Sequence, residues 1–478
     1  MSNVRSVREE AKDVPVLAEC EVLVCGGGPS GCAAALASGR RGAKTLLIEK
    51  EGYLGGAVVS QLVLVILSTN GVDFQGIWHE WAEELKGLGG IRAPIRTKTN
   101  LWGSVNPEAV KYAWDALLSE AGVKLLHHAY AARGIVEEDT IRGVFLETKA
   151  GRRVILADRV IDCTGDGILA AESGVSWEQG DGTHKYAMAL TKVFRLANVK
   201  YLEDWCTEDQ YRQMEQNLNE AIERGEYKTP VLTEKRRLLN YLRQKSWQLP
   251  EPRAEMMSVL SRILRTDPLD PFELTNAERE GREQVWEAAD FCHRYVPGFE
   301  NSYLLDSNAQ IGIRSSRRLK GLAVVTAEDA ANCRKYPDSI ARSSWDIDIW
   351  PAESYSASTA WKAENIKAHT NKLRTQGEYF DVRYGCVVAE EVKNLLMAGR
   401  CVSAEHEAES SLRIQQTCIS LGQAAGTAAA LSLEDGVTPQ ELEPMKVVRQ
   451  LAEDRDAVEP AFDVLKNLNP APGFEDER

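Results

Sequence analysis

The sequence has few features of metal-binding, nucleic-acid-binding or membrane proteins. None of its ten cysteines forms a CxxC pair, which excludes a redox-active CxxC dithiol and the usual cysteine spacings of zinc and iron–sulfur sites, so we expect no metal. Acidic residues outnumber basic ones by 71 to 57, which gives a net charge of −14. Nucleic acids and anionic membranes attract clustered Lys and Arg, so neither is an expected partner.

Long hydrophobic segments are also absent. Residues 1–19 mix acidic and basic side chains and lack the apolar core of a secretory signal. The longest apolar run, 62–67, is too short to span a bilayer. We therefore expect a cytoplasmic protein, and its 478 residues are enough for two domains.

A dinucleotide-binding pattern lies near the amino terminus, where an apolar strand leads into the sequence GGGPSG and then into a helix of small residues. Gly26 permits the tight turn, Gly28 lets the backbone approach a pyrophosphate, and Gly31 lets the helix pack closely on the strand. Pro29 and Ser30 lie at the start of that helix, whose N–H groups and positive dipole suit phosphate binding.

An acidic residue stands where this pattern requires one. The second strand, 44–48, ends at Glu49, eighteen residues after Gly31. A carboxylate at this place accepts hydrogen bonds from the ribose hydroxyls of an adenosine and repels a 2′-phosphate. The strand, the helix and the acid together predict FAD or NAD rather than NADP.

The chain continues in a way that is typical of FAD-binding folds. Alternating residues at 134–146 and 153–156 predict a small antiparallel meander before a strand at 159–163. An NAD dehydrogenase would usually continue with further parallel βαβ units. A separate lobe or cap is then predicted from three long charged helices: 208–224, 234–247 and 276–295.

A second glycine-containing strand and helix follow near the carboxyl terminus. A strand at 392–400 ends in glycine and precedes a predicted helix at 411–430. Small residues recur every three or four positions of that helix, including Gly422 and Ala425, which lets the helix lie very close to another element.

These segments resemble the FAD-dependent oxidoreductases of the glutathione-reductase structural type. The resemblance covers residues 20–432 and rests on five motifs in order: GGGPSG with Glu49, LGG at 54–56, IDCTGDG at 161–167, GIRSSRRLKG at 312–321, and AGRCVS at 398–403 through GQAAG at 422–426. It implies an α/β fold with an FAD-binding Rossmann-like domain, a β-meander and a second α+β substrate or cap domain. We place the FAD-binding domain at 1–182 and 385–440, the cap at 183–384 and a peripheral tail at 441–478.

The resemblance also implies which residues contact FAD. The first three motifs would hold the adenosine and pyrophosphate, Gly399 would approach the ribitol and pyrophosphate, and the late helix would lie near the flavin ring. The expected FAD-binding residues are Gly26, Gly28, Pro29, Ser30, Gly31, Glu49, Lys50, Gly55, Gly56, Gly165, Asp166, Gly399, Arg400, Gly422 and Ala425.

Two positions depart from the family's pattern. Many flavoproteins of this architecture have Gly-Asp where this chain has Gly399 and Arg400, so a cation replaces a carboxylate near the ribitol or phosphates. Trp350 stands where relatives often carry histidine. If that histidine serves the relatives' reaction, this protein has lost that role or changed substrate.

Hydride transfer to a flavin requires a group that accepts the proton of the adjoining hydroxyl or amine. We expect His406 to be this base, because it lies between the last glycine strand and the late helix; the alternative is a histidine bonded within its own loop. Arg413, near the helix start, is expected to face the flavin O2 or the substrate. Arg314 and Arg317 suit a substrate carboxylate or phosphate, although ion pairs with aspartates would also explain them.

The remaining candidates are weaker. His127 and His128 are expected to be structural, and His293 and His369 to lie at the surface. Cys418 lies on the late helix without a CxxC partner, so we expect a packing thiol.

The expected function is hydride transfer between a small polar organic substrate and FAD, as in a dehydrogenase. The sequence has no second GxGxxG, so electrons are expected to leave to oxygen, a quinone or a carrier protein. Two alternatives remain open: a flavin-dependent oxidase or monooxygenase that uses oxygen, and an FAD-bearing RNA-modification or structural partner protein. A homo-oligomer also remains open.

Overall fold

The computed structural model describes residues 6–8, 10–68, 76–96, 101–200, 207–233, 239, 248–249, 255–353 and 378–456. Its strands are β1 Val16–Cys25, β2 Thr45–Ile48, β3 Val65–Ser68, β4 Ile91–Arg96, β5 Leu101–Val105, β6 Lys124–Leu126, β7 Ala129–Glu137, β8 Thr140–Thr148, β9 Gly151–Asp162, β10 Trp177–Gln179, β11 Phe194–Ala197, β12 Gln248–Leu249, β13 Glu255–Ser258, β14 Tyr303–Ser307, β15 Arg317–Leu319, β16 Ser339–Ser343, β17 Phe380–Arg383 and β18 Leu395–Met397.

Helices connect these strands. They are α1 Pro29–Arg40, α2 Ala57–Ser60, α3 Ile77–Gly87, α4 Pro107–Glu120, α5 Ile168–Glu172, α6 Glu208–Glu223, α7 Pro230–Thr233, α8 Pro271–Tyr295, α9 Ala327–Ala331, α10 His406–Leu412, α11 Gln415–Glu434 and α12 Pro444–Asp456. Among the described helices, none combines the length and the apolar character needed to cross a lipid bilayer.

Five parallel strands form the centre of the main sheet, in the order β6-β2-β1-β9-β18. Their alternation with helices confirms the predicted α/β class. Because the strands run in one direction, the segments that follow Cys25, Ile48, Asp162 and Met397 meet at the same edge of the sheet. The predicted glycine motifs lie in these segments, so the sheet gathers them at one edge.

The predicted meander is confirmed, but its last strand is longer than expected. Instead of separate strands at 153–156 and 159–163, the structure has one continuous strand, β9. The first half of β9 pairs antiparallel with β8, and its end pairs parallel with β18. One strand therefore belongs to both the meander and the parallel sheet.

The predicted cap helices are partly within the described residues. Helix α6 agrees with the expected 208–224, whereas 234–247 lies outside the described residues apart from residue 239. Helix α8 begins at Pro271 rather than at 276, because the Asp270 carboxylate accepts hydrogen bonds from the backbone N–H groups of Phe272 and Glu273.

The cap segment builds an antiparallel sheet and a core of its own. The strand order is β12-β13-β11-β14. Buried side chains of the sheet, α6 and α8 pack together, including Phe194, Leu218 and Phe291. A second hydrophobic core within 194–299 supports a second domain, whose exact boundaries stay a prediction.

The prediction of one continuous helix over 411–430 is wrong at its amino-terminal end. The chain instead forms two helices, α10 and α11, separated at Arg413 and Ile414. Ile414 is extended, and the Gln415 side-chain amide donates to the carbonyls of Val63 and Val65. These distant contacts fix the chain direction at the break, and they leave Arg413 between the two helices.

Helices α1 and α11 pack backbone against backbone. A Cβ atom placed on Gly422 or Gly426 would lie within 3.0 Å of the backbone of Ser30 or Ala34, a separation that real Cβ atoms do not show. The expected close approach of the small-residue helix is thus present, and its partner is α1, the helix that follows the amino-terminal glycine motif.

Part of the stretch after residue 440 packs on this core. Val447 and Leu451 of α12 are buried in the main hydrophobic cluster, and the Lys446 ammonium lies 2.5 Å from the Asp435 carboxylate. Residues 457–478 lie outside the described residues.

We expect Gly422→Ala to lower the free energy of unfolding by roughly 1–3 kcal/mol, because the added methyl group must push the backbone of α1 away. Gly87→Ala is the control, since a Cβ at Gly87, the last residue of α3, meets no atom within 4 Å. Urea unfolding measures both variants. Equal stability of the two would contradict the close helix contact.

Candidate functional site

The GGGPSG turn forms a tight cradle at the start of α1. Gly26 has a φ of +104°, and a Cβ there would lie 2.5 Å from the Cys163 carbonyl oxygen. A Cβ on Gly31 would collide with the Gly26 carbonyl, whereas Gly28 has only Gly56, at 3.8 Å, near its own Cβ position. Gly26 and Gly31 are therefore required by the fold itself, and Gly28 keeps the cradle open.

The amino terminus of α1 has no side-chain cap among the residues that the structure describes. Gly28 is the N-cap residue, Pro29 is the first helical residue, and no described side chain accepts a hydrogen bond at this end of the 12-residue helix. Its first N–H groups are thus available to an anion.

Glu49 closes one side of the cradle. Its Oε2 accepts a hydrogen bond of 2.6 Å from the Gly27 N–H, and its Oε1 accepts one of 2.9 Å from the Glu51 N–H. The side chain is buried at the end of β2. Glu49 therefore holds the glycine turn in place and presents a carboxylate beside it.

The second glycine pair lies against the cradle. Gly55 and Gly56 both have positive φ values, and a Cβ on Gly56 would lie 2.7 Å from the Gly28 Cα. The Gly55 N–H donates to the Gly27 carbonyl. Lys50 lies nearby with a half-exposed ammonium, 3.8 Å from the Glu51 carboxylate.

Asp166 and Arg400 form an ion pair above the sheet edge. An Nη2–Oδ1 distance of 2.5 Å joins them, and Ser316 bridges the two through hydrogen bonds of 2.7 Å. Gly165 has a φ of +78° and leaves room for the Arg400 guanidinium. Arg317 donates to the Asp166 carbonyl oxygen, so both expected cofactor residues of this pair contact the GIRSSRRLKG segment.

The late glycines contact α1. A Cβ on Gly399 would lie 2.7 Å from the Ser30 hydroxyl oxygen, and Gly422 touches the backbone of the same residue. Ala425 is fully buried in α11. The close packing of α11 explains why small residues stand at Gly422 and Ala425. Gly399 instead lies at the amino-terminal end of α1.

Helix α10 is fixed to the segment 346–348. The Asp348 N–H donates to the Ser410 hydroxyl, and the Ser411 hydroxyl donates to the Asp346 carbonyl. His406 starts this helix and Glu409 faces inward from it. The anchoring of α10 thus determines where both side chains lie.

His406 is largely buried and lies near both cationic and anionic groups. Burial lowers its pKa to about 4, the positive charges of Arg318 and Arg413 act in the same direction, and the negative charge of Asp181 opposes them. Its Nδ1 is buried and makes no hydrogen bond with any described residue. The alternative was that His406 forms a hydrogen bond within its own loop, and no such bond is present at Nδ1 among the described residues.

Glu409 was not predicted from the sequence. Its side chain is completely buried, and its Oε2 accepts a hydrogen bond of 2.6 Å from the Ser315 hydroxyl and lies 3.6 Å from Arg318 Nη1. Burial raises its pKa to about 7, against the opposing effect of the nearby arginines. Glu409 follows two other glutamates, Glu405 and Glu407, so the sequence gave no signal that it would be buried.

The two arginines expected to bind substrate point to different neighbours. Arg317 lies over the Trp177 ring and near Asp166. The guanidinium carbon of Arg314 lies 4.9 Å from the Trp350 ring centroid, and that of Arg262 lies 4.5 Å from the same centroid. Arg262 was also missed, because it comes from a segment fifty residues away from the motif.

Trp350 connects these arginines to Arg413. The Trp350 indole N–H donates to Asp348 Oδ1 at 2.7 Å, and Arg413 Nη2 donates to Asp348 Oδ2 at 3.0 Å. Asp348, one of the aspartates that could have paired with Arg314 or Arg317, thus pairs with Arg413. Arg314 donates a hydrogen bond to the Ala189 carbonyl oxygen.

The weaker candidates have ordinary surroundings where they are described. His127 Nδ1 lies 3.2 Å from the Glu51 carbonyl oxygen, and His293 Nδ1 lies 3.0 Å from that of Ser302. His369 lies outside the described residues. Cys418 is buried, its thiol contacts the Leu412 carbonyl, and burial raises its pKa to about 12, as expected for a packing thiol.

One group of three side chains in the described ranges has the composition of a metal site. His184 Nδ1 lies 3.3 Å from Asp181 Oδ2 and 3.0 Å from Glu353 Oε1. The imidazole also stacks on Tyr186. These distances also suit hydrogen bonds between an imidazole and carboxylates on a partly exposed surface, so the group does not by itself indicate a metal.

Comparison with known proteins identifies a family over most of the chain. The model of the family described as FAD dependent oxidoreductase matches residues 21–451. Curated relatives match over shorter stretches. The sarcosine oxidase subunit alpha of Rhizobium meliloti is 31% identical over 85 residues, which are 18% of this chain and 8% of that protein. The thiamine thiazole synthase of Methanococcus vannielii is 31% identical over 159 residues, 31% of this chain and 57% of that protein.

The chain spans less than two thirds of the length of each of these relatives. Among solved structures, a geranylgeranyl bacteriochlorophyll reductase-like protein from Thermoplasma acidophilum is 12% identical, with 94% of this chain and 88% of that one covered at a TM-score of 0.45. The L-proline dehydrogenase from P. horikoshii is also 12% identical, with 91% and 99% covered at a TM-score of 0.39.

We expect the His406 ring to remain uncharged from pH 5 to pH 8, because burial and the adjacent arginines hold its pKa near 4. NMR of protein labelled with 13C-histidine measures the charge, and His406→Gln assigns the signal. A midpoint near the ordinary histidine pKa of about 6.5 would show that the site is open to water.

Proposed function

The chain belongs to the family of FAD-dependent oxidoreductases, and on this basis we propose that it transfers hydride between FAD and a small polar organic substrate that carries a carboxylate. The observation that carries the substrate class is the convergence of Arg262, Arg314 and Arg413 around Trp350 and Asp348. Guanidinium groups bind carboxylates through paired hydrogen bonds, and an aromatic ring beside them offers an apolar face.

FAD is the cofactor of this family, and the residues of the cradle fit it. The amino terminus of α1 is uncapped, and Gly28 faces Gly56 without a side chain between them. A pyrophosphate requires both features. Glu49 offers its carboxylate to the adenosine ribose, and Gly399 and Arg400 would lie toward the ribitol and phosphates. When bound, FAD supplies a two-electron acceptor for hydride.

His406 is proposed to accept the proton that leaves the substrate hydroxyl or amine. Its ring is neutral at pH 7, and its buried Nδ1 makes no hydrogen bond within the described structure, so the atom can take a proton. A bound carboxylate would offset the positive charges of Arg318 and Arg413 and would raise the histidine pKa toward the range of an effective base.

The electron acceptor is proposed to be oxygen, a quinone or a carrier protein. The sequence contains one dinucleotide fingerprint, whereas a reductase that binds a second, nicotinamide nucleotide by the same means would contain two. Peroxide formed in proportion to the substrate consumed would distinguish an oxidase from a dehydrogenase.

The proposal predicts which compounds bleach the flavin under anaerobic conditions. We expect hydroxy acids or amino acids to reduce bound FAD and their methyl esters to be poor donors. Arg314→Met should raise the half-saturating concentration of the acid roughly 10- to 100-fold, which is the effect of losing a hydrogen bond to a charged group. The half-saturating concentration of the ester should not change.

Arg142→Met is the matched control, because Arg142 is an exposed residue of the meander. An equal rise in the half-saturating concentrations of the acid and the ester would show that Arg314 does not bind the carboxylate. Bleaching by uncharged sugars alone would contradict the proposed substrate class.

A further inference from the structure

Glu409 is a buried carboxylate with no role in the reaction proposed above. Its side chain is 1% exposed and lies on the inner face of α10. One carboxylate oxygen, Oε2, is held by Ser315, and Arg318 Nη1 lies 3.6 Å from it. The other oxygen, Oε1, is buried and makes no hydrogen bond with any described residue.

Cations face Glu409 from three separate elements. Arg318 comes from β15, Arg400 follows β18, and Arg413 follows α10 itself. The charges of Arg318 and Arg413 also act on His406, where that of Asp181 opposes them, so the carboxylate and the imidazole share two cationic neighbours.

Two of these arginines already have other anionic partners. Asp166 pairs with Arg400, and Asp348 pairs with Arg413. Arg318 lies 3.6 Å from the exposed Glu178 carboxylate and donates to the Gly180 carbonyl. Glu409 is the fully buried anion of this cluster, and its nearest cation is Arg318.

We propose that anion binding at these arginines is linked to a proton on Glu409: the carboxylate takes up one proton from solvent when an anion binds, and it releases that proton when the anion leaves. This inference rests on the anionic substrate of the proposed function, whose binding residues share Arg413 with this cluster. An ionised Glu409 and a bound anion would place two negative charges beside the same guanidinium groups. Protonation removes this repulsion, and no other bond forms or breaks.

The position of the carboxyl group suits such an exchange. Burial disfavours the ionised form, whereas the arginines and the Ser315 hydroxyl favour it, and the balance places the pKa of Glu409 at about 7. Small changes in the surrounding charge therefore change its protonation near neutral pH. A carboxylate that served only to anchor Ser315 and Arg318 would not link anion affinity to protons.

The test uses the FAD-loaded protein with sulfate and acetate as probes, because both remain ionised from pH 6 to 9. The change in the visible flavin spectrum gives the dissociation constant, and pH-stat titration counts the protons taken up. We expect both affinities to fall as pH rises above about 7, by up to tenfold per pH unit. Proton uptake should be small at pH 6, where Glu409 already carries its proton, and should rise toward one per bound anion as the pH is raised above 7.

Glu409→Gln should make the affinities independent of pH over this range and should abolish proton uptake. Glu328→Gln is the control, since Glu328 is an exposed glutamate on α9. Ser315→Ala provides a second variant if Glu409→Gln does not fold. It removes the hydrogen bond that favours the ionised carboxylate, so the fall in affinity should move to higher pH.

Several results would overturn the inference. The inference is wrong if the wild-type affinities do not change with pH or if the Glu409→Gln variant retains the pH dependence. It is also wrong if the FAD-loaded protein binds neither anion. A protein that takes up no FAD would instead overturn the proposed function, so the two failures are distinguishable.

Discussion

The structure depends on the backbone contact between α1 and α11. Gly422 and Gly426 lie so close to Ser30 and Ala34 that no side chain fits between the helices. The amino-terminal end of α1 and the start of α11 are thereby held at a fixed separation. Because α10 leads directly into α11, the same contact also determines where His406 and Glu409 lie relative to the glycine cradle.

The protonation states at the site depend on which charged side chains form pairs and which are buried. Arg400 and Arg413 each pair with an aspartate at the border of the cluster, while Glu409 is buried among the arginines. Burial lowers the pKa of His406 to about 4 and, against the opposing charges of the arginines, raises that of Glu409 to about 7. A site built in this way can respond to one added negative charge by exchanging a proton.

The sequence predicted the parts of the molecule that are local in the chain. The turn at Gly26 and Gly31 and the acid at Glu49 lie within thirty residues, and their spacing alone indicates the geometry. The meander was likewise predictable, because alternation within each strand determines its faces.

The parts that were missed depend on distant contacts. The break at Ile414 follows from hydrogen bonds that the Gln415 side chain donates to the carbonyls of Val63 and Val65, which no helical pattern shows. The surroundings of Trp350 require Arg262 from the cap, and the burial of Glu409 requires Ser315. The substitution of Arg400 for the usual aspartate was visible in the sequence, whereas its pairing with Asp166 was not.

The central claim is that one FAD lies across the cradle of α1, with its adenosine beside Glu49. Equilibrium titration of flavin-free protein with FAD and with FMN tests it most directly. We predict one FAD per chain and much weaker binding of FMN, which lacks the adenosine and its phosphate. A colourless protein that takes up no FAD, or one that binds FMN equally tightly, would contradict the account.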